Sequence, residues 1–126
     1  MNTGLTLDAG ALIALDRDDR RFAYIIKAII LDEESINIPA PVLAQVIRNP
    51  ATQARILRVL QYPKTQVVPL DRDDAMAIGA LLRRTNTRDI ADAHVVICAR
   101  RAQERIATTD PDDLRRLDPD LDLIVL

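Results

Sequence analysis

The sequence predicts an α/β protein in which a mainly parallel sheet lies between helices. Short aliphatic runs alternate with segments of helical periodicity, the pattern of strand–helix–strand crossovers. Nearly half of the 126 residues are apolar while aromatics make up only 2%. The core must therefore be built from Ile, Leu, Val and Ala, which suits a parallel sheet covered on both faces. No repeat, low-complexity tract or linker interrupts the chain, so one domain over residues 1–126 is expected.

In order, Leu5 to Leu7 is β-type and ends at Asp8, after which Ala11 to Leu15 opens a helical pattern reaching Asp16. Arg20 to Leu31 places Phe22, Ile25, Ile26, Ile29 and Ile30 on one helix face, the spacing of a core or dimer surface. Ser35 to Ile38 reads as a strand stopped by Pro39 and Pro41, and Val42 to Ile47 as a short helix ended by Asn49 and Pro50. Ala51 to Leu60 is helical, and Gln66 to Pro69 is a Val-rich strand. Asp71 sits at an N-cap position before a helix over Ala75 to Arg84, and a turn over residues 85–88 leads to a helix from Asp89 to about Gln103. Arg105 to Thr108 forms the fourth strand, Leu114 to Leu117 a short helix and Leu123 to Leu126 a last strand.

The single cysteine, Cys98, excludes an internal disulfide framework and a multi-cysteine zinc site, which fits a reducing, cytoplasmic compartment. No run approaches the roughly 18 apolar residues of a bilayer span, and the opening residues 1–10 lack the basic start of a signal peptide. No membrane role is expected. A net charge of -2 gives no global pull on nucleic acid, so RNA would need a local basic patch or bound cations. The skew within each charge class says more: 16 Asp against 3 Glu, and 15 Arg against Lys27 and Lys64. Asp favours caps and loops, and Arg offers a bidentate fork for phosphate.

Asp8 ends the first strand, Asp110 follows the fourth, and the helix carrying Asp89 and Asp92 must begin at that same edge in order to finish where the fourth strand starts. Three segments thus bring acid to one rim. Carboxylates that close repel one another unless a cation neutralises them. Mg²⁺ or Mn²⁺ suits oxygen donors, and an ion pair could activate a water and steady the leaving oxygen of a phosphodiester. Blander roles compete: Asp89 reads first as an N-cap, Asp110 as a turn starter, and Asp112 and Asp113 as solvated first-turn acids. Asp16, Asp18, Asp19, Asp71, Asp73 and Asp74 are assigned to caps and solvated faces. His94 points away from Asp92 and reads as structural or as an interface residue, and Cys98 as a buried inert thiol. Arg83, Arg84 and Arg88 precede the acidic helix and are candidates for RNA phosphates or a solvated helix end. A phosphorelay receiver lacks support, because the paired acids and late lysine are missing. A haloacid-dehalogenase-like phosphatase is excluded because Ala9 and Gly10 follow Asp8.

Four stretches carry a likeness in the right order: residues 8–15 (DAGALIAL), 39–48 (PAPVLAQVIR), 89–96 (DIADAHVV) and 108–114 (TTDPDDL). Together they resemble a PIN-domain protein of the VapC toxin kind. The resemblance implies a three-layer α/β/α fold, Mg²⁺- or Mn²⁺-dependent RNA cleavage, a homodimer and silencing by a cognate antitoxin. It implies metal-binding and catalytic roles for Asp8, Asp92 and Asp110, with Thr108 supplying a supporting hydroxyl and Asp89 and Asp113 supporting a second ion. One departure stands out. The family's usual glutamate after the second strand is here Gln45, a neutral ligand, which implies weaker metal affinity. It leaves open a degenerate PIN domain that binds RNA or protein without cutting. Glu33, Glu34 and Glu104 lie away from that helix and offer no obvious replacement.

Overall fold

The structure, a computed structural model, describes residues 4–126; the opening residues 1–3, part of the signal-peptide reading, lie outside it. Five parallel strands form one sheet: β1 (Leu5–Leu7), β2 (Ile36–Pro39), β3 (Thr65–Val68), β4 (Arg105–Thr108) and β5 (Leu123–Val125), in spatial order β3-β2-β1-β4-β5. Leu5 pairs with Ile36 on one side and Arg105 on the other, and Leu7 lies opposite Ala107. The helices are α1 (Ala9–Asp16), α2 (Arg20–Leu31), α3 (Ala40–Val46), α4 (Ala54–Gln61), α5 (Arg72–Thr85), α6 (Ile90–Ala102) and α7 (Pro111–Leu117), and they cover both faces of the sheet.

The chain builds outward from β1 to β3, then returns through α5 and α6 to lay β4 against the other side of β1. Because crossovers keep one hand, this reversal switches the helices to the opposite face and opens a crevice at the carboxyl ends of β1 and β4. The core is aliphatic, as the composition requires: Leu5, Leu7, Ile36, Ile38 and Ile106 are fully buried in the sheet, beneath Leu12, Phe22 and Val96 from the helices.

Local chemistry fixes the helix starts. Asp19, Asp71 and Asp89 each accept a backbone N–H three residues on, at 2.8–2.9 Å; each such cap is worth about 1 kcal/mol. The sequence expectation of a helix over Ala51 to Leu60 is corrected by a short 3₁₀ turn at Pro50–Thr52 followed by α4. The break is Gln53, whose buried amide accepts from Arg48 N and Asn49 N and donates to Val46 O. Proline also shifts two boundaries. Pro39 closes β2 rather than stopping it short, and Pro41, tolerated in a first turn, lets α3 begin at Ala40.

Candidate metal centre

Asp8 emerges from β1 straight into α1, where it is both the last buried residue of the strand edge and the N-cap of the helix. Its Oδ1 accepts Ala11 N at 2.8 Å, and only 4% of the residue is exposed. Gly10 sits one residue into α1, where any side chain would collide with that of Thr109. The missing Cβ therefore lets the start of α1 and the turn after β4 pack closely, drawing Asp8 toward Asp110. Thr108 ends β4 fully buried, and its Oγ1 accepts Asp110 N at 2.9 Å, fixing the turn that presents Asp110. Asp110 sits in the turn and at the N-cap position of α7 that the sequence suggested, but its side chain makes no capping bond.

α6 runs back across the sheet from this rim to the start of β4. Its first turn carries Asp92, while Asp89 is the cap that the sequence suggested, accepting Asp92 N. Asp113, exposed in the first turn of α7, has its pKa raised, first of all by the neighbouring Asp110 carboxyl. Burial, then the charges of Asp89, Asp8, Asp113 and Asp110, push the Asp92 carboxyl up to about 7. Burial also raises Asp8, against the lowering pull of the Thr108 hydroxyl and the Ala11 amide.

Among the described residues, Asp8, Asp89, Asp92 and Asp110 make no ion pair with a basic side chain. The rim is thus a set of four carboxylates from three segments, none of them paired with a base, in which burial and mutual repulsion together raise the pKa of Asp92 to about 7. An all-oxygen donor set of this charge fits a hard divalent ion. The carboxyl oxygens stand within electrostatic reach rather than in ligand contact with one another.

A cleft of about 300 Å³ opens beside Asp92, lined by Arg88, Asp89, Asp113 and Arg116. Of the three arginines singled out in the sequence, Arg88 reaches this cleft, while Arg83 and Arg84 lie in the last turn of α5, where the helix dipole favours cations. Arg116 went unnoticed in the sequence; its signal is position i+3 from Asp113, with which it pairs at 3.9 Å. Gln45 is exposed on α3, a helix packed against the α1 and α6 that carry Asp8 and Asp92.

The PIN-domain family model matches residues 5–119. The chain belongs to the PIN-domain family. Its fold is shared by three solved structures of low sequence identity. VapBC2 from Rickettsia felis, bound to a DNA fragment from its promoter, superposes with a TM-score of 0.70 at 14% identity, covering 98% of this chain and 99% of that one. FitAB bound to an IR36 DNA fragment gives 0.66 at 14% identity, covering 96% and 94%. FitAcB from Neisseria gonorrhoeae gives 0.61 at 15% identity, covering 95% and 96%. A search of curated proteins finds no significant match.

One assignment from the sequence is overturned. Asp74 is not a solvated acid: it is 1% exposed, bonded to His94 Nε2 at 2.7 Å and to Arg101. Burial alone would raise its pKa, but the His94 and Arg101 partners outweigh it and hold the carboxyl below its usual range. This pairing turns Asp74 inward with Ile78 and Leu81, one helix face that the spacing of four and three already marks. His94 is accordingly structural, fully buried between α5 and α6, and Cys98 is a buried thiol pushed up to about 12 by desolvation. A second buried acid was also missed. Glu104 accepts from Thr6 Oγ1 at 2.9 Å, Ser35 Oγ at 2.7 Å and Asn37 Nδ2 at 2.5 Å, tying the amino ends of β1, β2 and β4 together.

Proposed function

We propose that this PIN domain, over residues 1–126, is a cytoplasmic Mg²⁺- or Mn²⁺-dependent endoribonuclease and the toxin of a toxin–antitoxin pair. The observation that carries the reading is the acidic rim at the sheet's switch point, with Asp92 driven to about 7 by burial and then by its acidic neighbours. The fold shared with VapBC2 and FitAB supports a toxin–antitoxin setting with a cognate antitoxin, and the resemblance to VapC toxins adds a homodimer.

In this reading Asp8, Asp92 and Asp110 hold the ion, and Asp89 and Asp113 support a second. When bound, the divalent ion neutralises the rim and stabilises the charge that builds on a phosphodiester under attack by water. The chain's own residues do the rest. The Ala11 amide and the Thr108 hydroxyl fix the Asp8 carboxyl, and Thr108 Oγ1 fixes the Asp110 turn through its amide. Asp92, pushed up to about 7 in the metal-free chain, must release its proton to take the ion, so metal binding strengthens as pH rises toward and past that value. Arg88, with Arg83 and Arg84 on the adjoining helix end, supplies guanidinium groups for RNA phosphates.

Incubating the purified protein with single-stranded RNA tests this. Cleavage with Mg²⁺ or Mn²⁺ that is lost with EDTA and in Asp92→Asn supports it; cleavage that persists in the variant overturns it. Gln45, exposed and uncharged, motivates one other reading, a PIN domain that binds RNA or protein without cutting. Metal-dependent RNA binding with no cleavage product selects that reading.

A further inference from the structure

We propose a second metal site, distinct from the acidic rim, in which Asp74 of α5 and His94 and Cys98 of α6 bind a thiophilic divalent ion such as Zn²⁺. The ligand-capable atoms of these three side chains all lie within 4.8 Å of one another, and all three residues are buried. His94 and Cys98 are four apart on one helix, so they project from the same face one turn apart. A tetrahedral ion with donors at about 2.0–2.3 Å holds those donors roughly 3.3–3.8 Å from each other, so Asp74 Oδ2 and His94 Nε2, now hydrogen-bonded at 2.7 Å, would part slightly to admit it while the Cys98 sulfur stays within the 4.8 Å that spans the three donors.

A second observation points to a ligand. His94 Nδ1 is the one buried side-chain nitrogen or oxygen among the described residues that has no hydrogen-bond partner. Natural cores rarely leave such an atom unsatisfied without a missing water or ion to explain it. The ring is fully buried and its Nε2 already engages Asp74, so the imbalance falls on a side chain inside the donor cluster.

Access and charge both allow loading. A groove of about 200 Å³ lined by Asn37, Gln66 and Arg101 reaches the cluster on its Cys98 side. Arg101, whose side chain is 55% exposed, covers the Asp74 carboxylate and can swing into solvent at small cost when an ion takes its place. On binding, the Cys98 thiol loses its proton to solvent, and thiolate and carboxylate together match the ion's two positive charges. Mixed sulfur, nitrogen and oxygen donors select Zn²⁺ or Co²⁺ over Mg²⁺. Because α6 begins at the rim, an ion clamping α5 to α6 also steadies the helix that presents Asp92.

Co²⁺ is the probe. Cys98 is the sole cysteine, so a thiolate-to-cobalt charge-transfer band in the wild-type protein identifies this site without any variant. We expect one equivalent of Co²⁺ to produce that band in the presence of excess Mg²⁺, Zn²⁺ to abolish it by competition, and Asp92→Asn to retain it. Cys98→Ser should remove the band and weaken Zn²⁺ binding at least tenfold; should that variant fail to fold, the same loss is expected in Cys98→Ala. Absence of the band in wild type, or its survival in either folded Cys98 variant, overturns the proposal.

Discussion

Two aspartates less than twenty residues apart in sequence, Asp74 and Asp92, are treated in opposite ways by the same fold. Asp74 is sealed between α5 and α6 with His94 and Arg101 as partners, and its carboxyl is held below the ordinary range. Asp92 is less buried yet is pushed up to about 7, because burial is compounded by four acids and relieved by no cation. Burial by itself would raise both; the sign is decided by partners. The contrast separates an acid that joins two helices from an acid left without a cationic partner among other acids.

The sharpest way to break this comparison is to neutralise each acid. Asp92→Asn should lower RNA cleavage on the order of 10²–10³-fold, the range for removing one preorganised charge-stabilising group. Yet in EDTA at neutral pH the same variant should unfold at a higher denaturant concentration than wild type, because repulsion has been removed. Asp74→Ala should do the reverse in EDTA. It strands a buried imidazole and should cost about 3 kcal/mol, the low end for breaking a buried pair because Arg101 can return to water. Urea midpoints for the two variants shifting in the same direction would show that the two acids are not in opposed environments.

Protonation sharpens the same point with a smaller effect. Below about 3.8, the ordinary value of the group, Asp92 carries its proton in both the folded and unfolded chain, and above about 7 in neither. Between them the unfolded chain releases the proton and the folded chain keeps it, so stability falls as pH rises through that window, by on the order of 2 kcal/mol. Asp8, also raised, adds to the same trend. Asp74, lowered, acts in the opposite sense and only in acid: its contribution is present above its ordinary value and is lost as pH falls below it. Metal-free protein should therefore melt at a higher temperature at pH 5 than at pH 8, and Mn²⁺ should close that gap by stabilising the pH 8 sample more. A flat profile without metal would mean that the rim acids do not interact as described.

What the sequence disclosed follows the same division between local and distant causes. The rim was legible because each acid sits at a strand end or helix start that local patterning marks, and the topology then carries all of them to one edge; β4 even has the bounds expected, Arg105 to Thr108. Asp89 as a cap was legible for the same reason. Asp74 was not, since its acidic neighbours Asp71 and Asp73 suggested a solvated turn, although Ile78 and Leu81 share its face. Glu104 was beyond local reading altogether: its three donors lie 98, 69 and 67 residues away in the chain. Burial of a charge is decided by which segments meet, and short-range patterning records only one side of each meeting.

The smallest expected effect concerns Gln45, which the resemblance to VapC toxins sets where the family usually has a glutamate. Gln45 is exposed on α3, a helix packed against both α1 and α6, so Gln45→Glu replaces amide with carboxylate at little steric cost and without burying new charge. If α3 presents position 45 to the rim, the variant should bind Mn²⁺ about tenfold more tightly, roughly 1.4 kcal/mol, and cut RNA faster. Its metal-free form should be less stable at pH 8, because a further acid would join an already repulsive group. The two readouts must move together: tighter binding with no loss of metal-free stability would place the new carboxylate near the ion but away from Asp92. No change in either would mean that position 45 faces solvent away from the rim and that the family's glutamate has no counterpart on α3.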